Sequence, residues 1–238
     1  MNTGDNPRRT VLPPRLRPGD RVRIVSPASP PTRDGVAYGV ALLTSWGLRV
    51  EVAEHTFDRW GYMAGRDEDR AADLNAAFRD PGVRAVLASR GGKGAYRIVD
   101  DLDFDALRRD PKPLVGFSDI THLHLALWAR CGLASLHGPF PDGSRDRCGP
   151  ASATALRRAL TTTTPVTLRR DPTEATAPIT FGGTAVGVLV GGTSTRSAPR
   201  PEPGCPPSTE PSSSSNTGEA RGWGRSIVHS PNSPAAVP

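Results

Sequence analysis

Strand-like segments alternate with amphipathic helical segments between Arg21 and Arg130 of this 238-residue chain. The helix predicted at 67–78 is the clearest, because apolar residues recur every three or four positions and acidic residues occupy its first turn. This alternation predicts an α/β domain with a parallel sheet of the flavodoxin or Rossmann kind. The predicted strands are 21–26, 48–53, 83–89, 113–117 and 133–136, and the other helices are 34–46 and 119–130.

The alternation weakens in the last third of the chain. A short helix is predicted at 151–160, with candidate strands at 165–168 and 185–190. The last 46 residues contain 10 Ser, 9 Pro and 4 Gly, which is typical of a disordered tail. We therefore divide the chain into an N-terminal domain (1–148), a linker with the beginning of an incomplete second α/β domain (149–192), and a tail (193–238).

The amino-acid composition limits the classes of binding partner and the cellular compartment that we expect for this protein. The net charge is +6, but no block of Lys and Arg is interleaved with aromatic residues, so nucleic-acid binding is not predicted. The three cysteines are widely spaced and form no Cys-x-x-Cys pair, which favours a reducing cytoplasm over a disulfide framework or a zinc site. No apolar run resembles a signal peptide or a membrane span. We expect a soluble cytoplasmic protein without a membrane partner.

The sequence Gly116-Phe117-Ser118-Asp119 follows an apolar predicted strand and opens a predicted helix. A sharp turn there lifts the serine Oγ clear of the sheet, where free N–H groups of the helix can bind an oxyanion. This pattern indicates a nucleophilic Ser118, although it differs from Gly-x-Ser-x-Gly. The alternative is that Ser118 or Asp119 only caps the helix.

Two other segments also follow predicted strands. The glycine-rich loop 89–94 lets the backbone approach a ligand closely, and a tight turn is the alternative interpretation. His137 follows the fifth strand, where a substrate contact or a structural role is favoured over a role as a base. His122 and His124 are two residues apart on a helix, so they are not expected to share zinc. Because open α/β sheets bind ligands at strand carboxyl ends, we expect these loops to converge with Ser118.

The succession of Arg90-Gly91-Gly92, Gly116–Thr121 and His137-Gly138-Pro139 resembles the LD-carboxypeptidases, or muramoyl-tetrapeptide carboxypeptidases, and their relatives the microcin immunity peptidases. The resemblance covers about residues 12–192. It implies a cytoplasmic serine peptidase, without a metal or cofactor, that removes the terminal D-alanine from murein tetrapeptides in peptidoglycan recycling. The family usually forms homodimers.

The resemblance also assigns site residues. Ser118 matches the nucleophile of a Ser-Glu-His triad, and the N–H groups of Gly92 and Asp119 match the oxyanion hole. The glutamate and histidine of the triad come from a C-terminal domain in this family. The candidate substrate contacts are Arg90, Gly91 and His137.

The motifs for that glutamate and histidine do not follow Gly192. A shifted frame, reading the third base of each codon with the first two of the next, permits G-G-N-L, D-G-A-I-L-F-L-E and D-R-S-L-T-Q-L. These shifted readings require that the serines are encoded by TCN codons and the arginines by CGN codons. The three motifs then follow one another in the same order as in the family. We therefore expect that the frame slips near Gly192, that the tail is out of frame, and that the chain as written is truncated and inactive.

Three alternative functions stay open. The first is a microcin-immunity-like serine peptidase that cleaves an acyl-sulfamoyl adenylate type of substrate. The second is a non-catalytic remnant that binds peptides, and the third is a nucleotide-binding module, which the lack of a phosphate-loop pattern disfavours. Loss of most of a second domain is also expected to expose apolar surface near Leu189 and Val190.

Overall fold

The computed structural model describes residues 10–144, 148–165, 167, 173 and 186–193. Its strands are β1 (Arg21–Val25), β2 (Arg49–Val52), β3 (Val83–Ala88), β4 (Leu114–Gly116) and β5 (Leu136–His137). Its α-helices are α1 (Arg33–Ser45), α2 (Asp67–Arg79), α3 (Phe104–Arg109), α4 (Thr121–Cys131) and α5 (Pro150–Thr161). Two 3₁₀ helices occupy Ala95–Asp101 and Ser118–Ile120.

The five strands pair in parallel in the order β2-β1-β3-β4-β5. This is the strand order of the flavodoxin-like doubly wound fold, so the predicted fold class is confirmed. The chain first runs from β1 outward to β2 and then crosses to β3 on the other side of β1. The connection after β1 therefore runs toward one edge of the sheet and the connection after β3 runs toward the other edge. Folds of this kind bind ligands between these two strands, at their carboxyl ends.

The central strand β3 is covered on both faces. Ala85 and Leu87 pack on the face that carries α1 and α5, whereas Val86 and Ala88 pack on the face that carries α2, α3 and α4. Burial on both sides explains why this strand is a nearly continuous apolar run and does not alternate with polar residues.

Helix α5 confirms the predicted helix at 151–160 and extends it by one residue at each end. Its Leu156 and Leu160 are buried in the core on the α1 side, and the carbonyl oxygen of Leu160 accepts the N–H of Leu16 at 2.7 Å. The helix that we assigned to the segment 149–192 therefore packs against the sheet of the first domain.

Some short elements differ from the prediction. The 3₁₀ helix after the glycine-rich loop and α3 were not predicted, because elements this short show no full hydrophobic period. Asp103 caps α3 by accepting the N–H of Ala106 at 2.9 Å. The fifth strand begins at Leu136 and not at Leu133, because Leu133 forms an isolated parallel bridge with Val11.

The candidate strand at 185–190 is not formed in its described part, since residues 186–190 have no regular secondary structure. No described strand pairs with this segment, which lies beside α4 and β5. Leu189 and Val190 are 47% and 53% exposed, as expected. The tail from 194 and most of the candidate strand at 165–168 lie outside the described residues.

Among the described helices, none is both long enough and apolar enough to cross a membrane.

Candidate active site

Ser118 occupies the sharp turn between β4 and the helical run after it. With a φ of 57°, it is the one non-glycine residue with positive φ in the described chain. Such a conformation is strained and is concentrated at functional sites. The turn is tight, because a Cβ on Gly116 would lie 2.5 Å from Cγ2 of Ile120. The absence of a side chain at Gly116 lets the helical run fold back over the end of the strand.

Asp119 presents its backbone and its side chain to different neighbours. Its N–H lies in the first helical turn beside Ser118, where an intrahelical acceptor is lacking. Its buried carboxylate holds the glycine-rich region, because Oδ2 accepts the N–H of Ala95 at 2.8 Å. Oδ1 lies 3.7 Å from Nε2 of His122. The side chain thus fixes the turn at Ser118 relative to the end of the glycine-rich loop.

The two central glycines of that loop contact different residues. A Cβ on Gly91 would lie 2.7 Å from Cβ of Ser118 and 2.9 Å from the carbonyl oxygen of Phe117. A Cβ on Gly92, whose φ is +124°, would lie 2.1 Å from Oγ of Ser29. Gly91 is therefore the glycine that lies against Ser118, while Gly92 packs on the loop after β1.

Ser29 supports the glycine-rich loop, and the sequence analysis did not identify this role. Its N–H donates to the carbonyl oxygen of Gly91, and its Oγ accepts the N–H of Lys93, each at 3.3 Å. The hydroxyls of Ser26 and Ser89 lie 2.6 Å apart and join the ends of β1 and β3. The available signal was that Ser29 follows a predicted strand, on the same edge of the sheet as Ser118.

These loops border a cleft of about 260 Å³. Four of the predicted site residues line it together: Arg90, Gly91, Gly92 and Ser118. Asp119 lies next to Ser118 with its side chain buried away from solvent. His137 is not among the described lining residues of the cleft. The remaining lining comes mainly from the beginning of α1 and from the segment after β5: Pro31, Thr32, Gly35, Pro139, Phe140 and Asp142.

The cleft carries one charge of each sign in its described lining, Arg90 and Asp142. Arg90 is exposed, and its Nη1 lies 3.4 Å from the carbonyl oxygen of Pro30. No histidine or glutamate is among the described lining residues. The arrangement offers a serine hydroxyl, backbone N–H groups and charged side chains to a polar ligand, but the described lining contributes no imidazole that could act as a base.

His124 on α4 and His137 on β5 lie close to each other, and neither is among the described lining residues of the cleft. The ring of His124 is buried, and its Nε2 lies 3.0 Å from the carbonyl oxygen of Gly116. The ring centroids of the two histidines are 5.9 Å apart. Burial lowers the pKa of His137 and lowers that of His124 to about 4. His122 instead packs edge-on against Tyr96, so His122 and His124 face different neighbours.

A surface cluster outside the cleft has ligand atoms close enough to hold a metal ion. The ligand atoms of His55, Asp58 and Asp69 all lie within 4.8 Å of one another. Nδ1 of His55 is 2.9 Å from Oδ2 of Asp58, and this hydrogen bond is the main reason why the pKa of His55 is raised. None of the three residues lines the cleft around Ser118.

Stability is expected to fall between pH 6.5 and pH 4 because of His124. Its folded pKa of about 4 lies below the ordinary histidine value of 6.5, so in this window the unfolded chain binds a proton that the folded chain does not. The free energy of unfolding then decreases with falling pH, by about 3 kcal/mol over the whole window. Urea unfolding of the chain at pH 7 and pH 4.5 measures this loss.

The matched variant for this experiment is His124→Gln, which should show a smaller decrease over the same range. Asp67 and Asp80 have lowered pKa values, so their stabilising effect is lost only below about pH 4. The lowered pKa of His137 adds to the loss in this window and the raised pKa of Asp73 opposes it at the acid end, and both groups are also present in the variant. An equally steep decrease in His124→Gln would show that another group causes the loss.

Comparison with known proteins agrees with this arrangement. Residues 22–138 match the family model described as LD-carboxypeptidase N-terminal domain. The chain is 38% identical over 184 residues to a Bacillus subtilis protein named "Probable murein peptide carboxypeptidase", covering 76% of this chain and 56% of the relative. It is 37% identical over 124 residues to the murein tetrapeptide carboxypeptidase of Pseudomonas aeruginosa, covering 52% of this chain and 40% of the relative.

The fold is similar to the crystal structure of an MccF-like protein from Bacillus anthracis, with a TM-score of 0.60 and 30% identity over 64% of this chain and 48% of that one. MccF is the name of a microcin C7 self-immunity protein. The chain spans about half the length of the curated relatives that it matches. The matched segment includes the glycine-rich loop and the turn at Ser118, and through it the chain belongs to the LD-carboxypeptidase family, with residues 22–138 as the N-terminal domain.

Proposed function

We propose that this chain is the nucleophile-bearing part of a serine LD-carboxypeptidase that removes the terminal D-alanine from murein tetrapeptides in the cytoplasm. The observation that carries the proposal is the strained turn that places Ser118 in a cleft, within a domain of this family. Oγ of Ser118 attacks the last peptide carbonyl, its proton passes through a base to the departing nitrogen, and D-alanine leaves. Water then hydrolyses the acyl-enzyme and releases the tripeptide.

The backbone around the serine supports this chemistry. We assign the N–H of Asp119 and the N–H of Gly92 to the tetrahedral oxyanion, because one lies at the first helical turn and the other in the loop that lines the same cleft. Gly91 has no side chain between this loop and Ser118, which keeps the approach to Oγ open. The guanidinium of Arg90 is suited to the carboxylate of the terminal D-alanine.

The base is assigned to residues that are not among the described lining of this cleft. We propose that the glutamate and histidine of the triad are encoded in the shifted frame and further downstream, and that the tail from 193 is out-of-frame translation. Two observations support this: the described lining lacks both residue types, and the shifted frame permits three family motifs in order. Without a base, Ser118 stays protonated and is a weak nucleophile.

The purified 238-residue chain is therefore expected to release D-alanine from a murein tetrapeptide no faster than its Ser118→Ala variant. Free D-alanine can be measured with a coupled D-amino-acid oxidase assay. Calorimetry with the same tetrapeptide separates binding from turnover, and binding without release would favour the non-catalytic remnant. Release that depends on Ser118 would show that the chain contains a working base.

Sequencing of the genomic DNA downstream of the codon for Gly192 is expected to show an open shifted frame that encodes the three motifs. A one-base change present in the genome would mean an inactivated gene, whereas its absence would mean a reading error in this sequence. An intact frame whose serines are encoded as AGY would contradict the proposed slip, because the shifted motifs require TCN codons.

A microcin-immunity-like activity is the second candidate, favoured by the similarity to the MccF-like structure. The two candidates differ in the group that departs from the scissile acyl carbon: an amino acid in one case and a sulfamoyl adenosine in the other. Parallel assays of a frame-restored protein with a murein tetrapeptide and an aminoacyl sulfamoyl adenosine would separate them. We expect the tetrapeptide to be the better substrate.

A further inference from the structure

A small pocket of about 40 Å³ lies behind the turn at Ser118, between α4, the residues before β5 and the segment 189–191. Its wall is mostly apolar, and no charged side chain is among its described lining residues. The polar residues of its described lining are two histidines, His124 and His137, and Ser135. The larger lining side chains are His124, Leu125, Trp128, Leu133, His137 and Leu189.

His124 presents an unprotonated ring nitrogen to its surroundings. Its side chain is buried, with the residue 6% exposed. Nε2 lies 3.0 Å from the carbonyl oxygen of Gly116, and since a carbonyl can only accept, Nε2 carries the hydrogen. Nδ1 therefore has a free lone pair, and this buried atom has no hydrogen-bond partner among the described residues. Buried polar atoms are rarely left unpaired, so we expect Nδ1 to bind a ligand.

His137 provides a second unpaired nitrogen in the same pocket. Its Nε2 is buried and also lacks a hydrogen-bond partner among the described residues. The two ring centroids are 5.9 Å apart and the ring planes are tilted by 59°. Two imidazoles that share one zinc ion, with Zn–N bonds of about 2.0–2.1 Å, place their centroids roughly 5–6 Å apart. The spacing of the rings therefore fits a shared ion.

The protonation state and the outer contacts of the pair also suit a metal. Burial lowers the pKa of both rings, so both are neutral at neutral pH, which is the form that binds metal ions. Histidine ligands usually donate their other ring N–H to a backbone carbonyl or a carboxylate, and His124 does this to Gly116. No cation among the described lining residues opposes a metal ion.

We propose that Nδ1 of His124 and Nε2 of His137 bind one borderline-soft divalent cation, with zinc as the expected ion. Imidazole donors suit zinc, copper and nickel better than magnesium or calcium. Water completes the coordination at the rim, where Leu189 and Val190 are partly exposed. The ion joins α4 to β5 behind Gly116, whose carbonyl also accepts the N–H of Gly138 at 2.9 Å. This inference is independent of the proposed peptidase activity.

The test is calorimetric titration of the purified, metal-free chain with zinc chloride. We expect one site per chain, a higher thermal midpoint with zinc, and at least about a tenfold weaker affinity in His137→Gln. The matched controls are His55→Gln, His122→Gln and His229→Gln, each of which should leave the affinity unchanged. His55→Gln is the sharpest control, because His55 belongs to the surface cluster with Asp58 and Asp69.

Imidazole ¹H–¹⁵N spectra of the unmodified chain provide a second readout, which decides the question if His137→Gln does not fold. Zinc should shift Nδ1 of His124 and Nε2 of His137 and leave the nitrogens of His122 unmoved. Affinity lost with His55→Gln would overturn the proposal. So would the absence of zinc binding, or binding that leaves His124 and His137 unshifted. The two buried nitrogens would then be paired with water.

Discussion

Restoring the shifted frame after the codon for Gly192, together with the DNA downstream of it, is expected to raise D-alanine release about 10⁴-fold or more over the 238-residue chain. The cleft already supplies Ser118 at a strained turn and the N–H donors beside it. The described lining lacks an imidazole to accept the serine proton and a glutamate to orient that imidazole. The shifted frame permits the glutamate, and we propose that the histidine is encoded further downstream. The readout is kcat/KM on a murein tetrapeptide.

The restored protein offers a clean control for the identity of the nucleophile. Ser118→Ala should return the rate to that of the 238-residue chain, because a triad that loses its serine loses nearly all of its advantage. Ser45→Ala should retain the full rate, since Ser45 is exposed at the end of α1 and donates only to the carbonyl oxygen of Leu42. A restored protein that folds but releases no D-alanine, or a Ser118→Ala variant that stays active, would refute the proposal.

Much of the fold is readable from local patterns, because each strand and long helix has its own hydrophobic period. The strand β3 and the helix α2 both appear close to their predicted bounds for this reason. The 3₁₀ helix at Ala95–Asp101 is too short for its hydrophobic pattern to repeat, so no periodicity reveals it. The pairing of Leu133 with Val11 is equally invisible, because it joins segments that are distant in the chain.

In the candidate site, too, local sequence patterns predict some features and not others. The turn at Ser118 is predictable, because the strand, the glycine, the serine and the helix are adjacent in sequence. The contact of Gly91 with Ser118 spans 27 residues, and no local pattern distinguishes Gly91 from Gly92. Pairing of the His137 ring with His124 depends on the parallel alignment of β4 and β5, which sequence order alone does not provide.

Arg70 is another residue whose role appears only in three dimensions. It looks like a surface residue of the amphipathic helix α2, yet it is 1% exposed. Its Nη1 donates to the carbonyl oxygens of Pro27 and Gly94, the latter at 3.0 Å, and its Nη2 pairs with Asp67. These contacts connect the loop after β1 to the end of the glycine-rich loop. Arg70 therefore holds together two of the loops beside the cleft.

Arg70→Met is expected to lower the free energy of unfolding by about 3 kcal/mol. Methionine can fill the space, but it leaves the buried carbonyl oxygen of Pro27 without this donor and removes one partner of Asp67. The carbonyl oxygen of Gly94 loses one donor and keeps the N–H of Arg97. The matched control is Arg97→Met, because Arg97 pairs with the other oxygen of Asp67 from an exposed position and should hardly affect the unfolding midpoint. Urea unfolding at pH 7 compares the two variants. Equal losses would mean that the ion pair with Asp67, and not the link between Pro27 and Gly94, accounts for the stability that Arg70 provides.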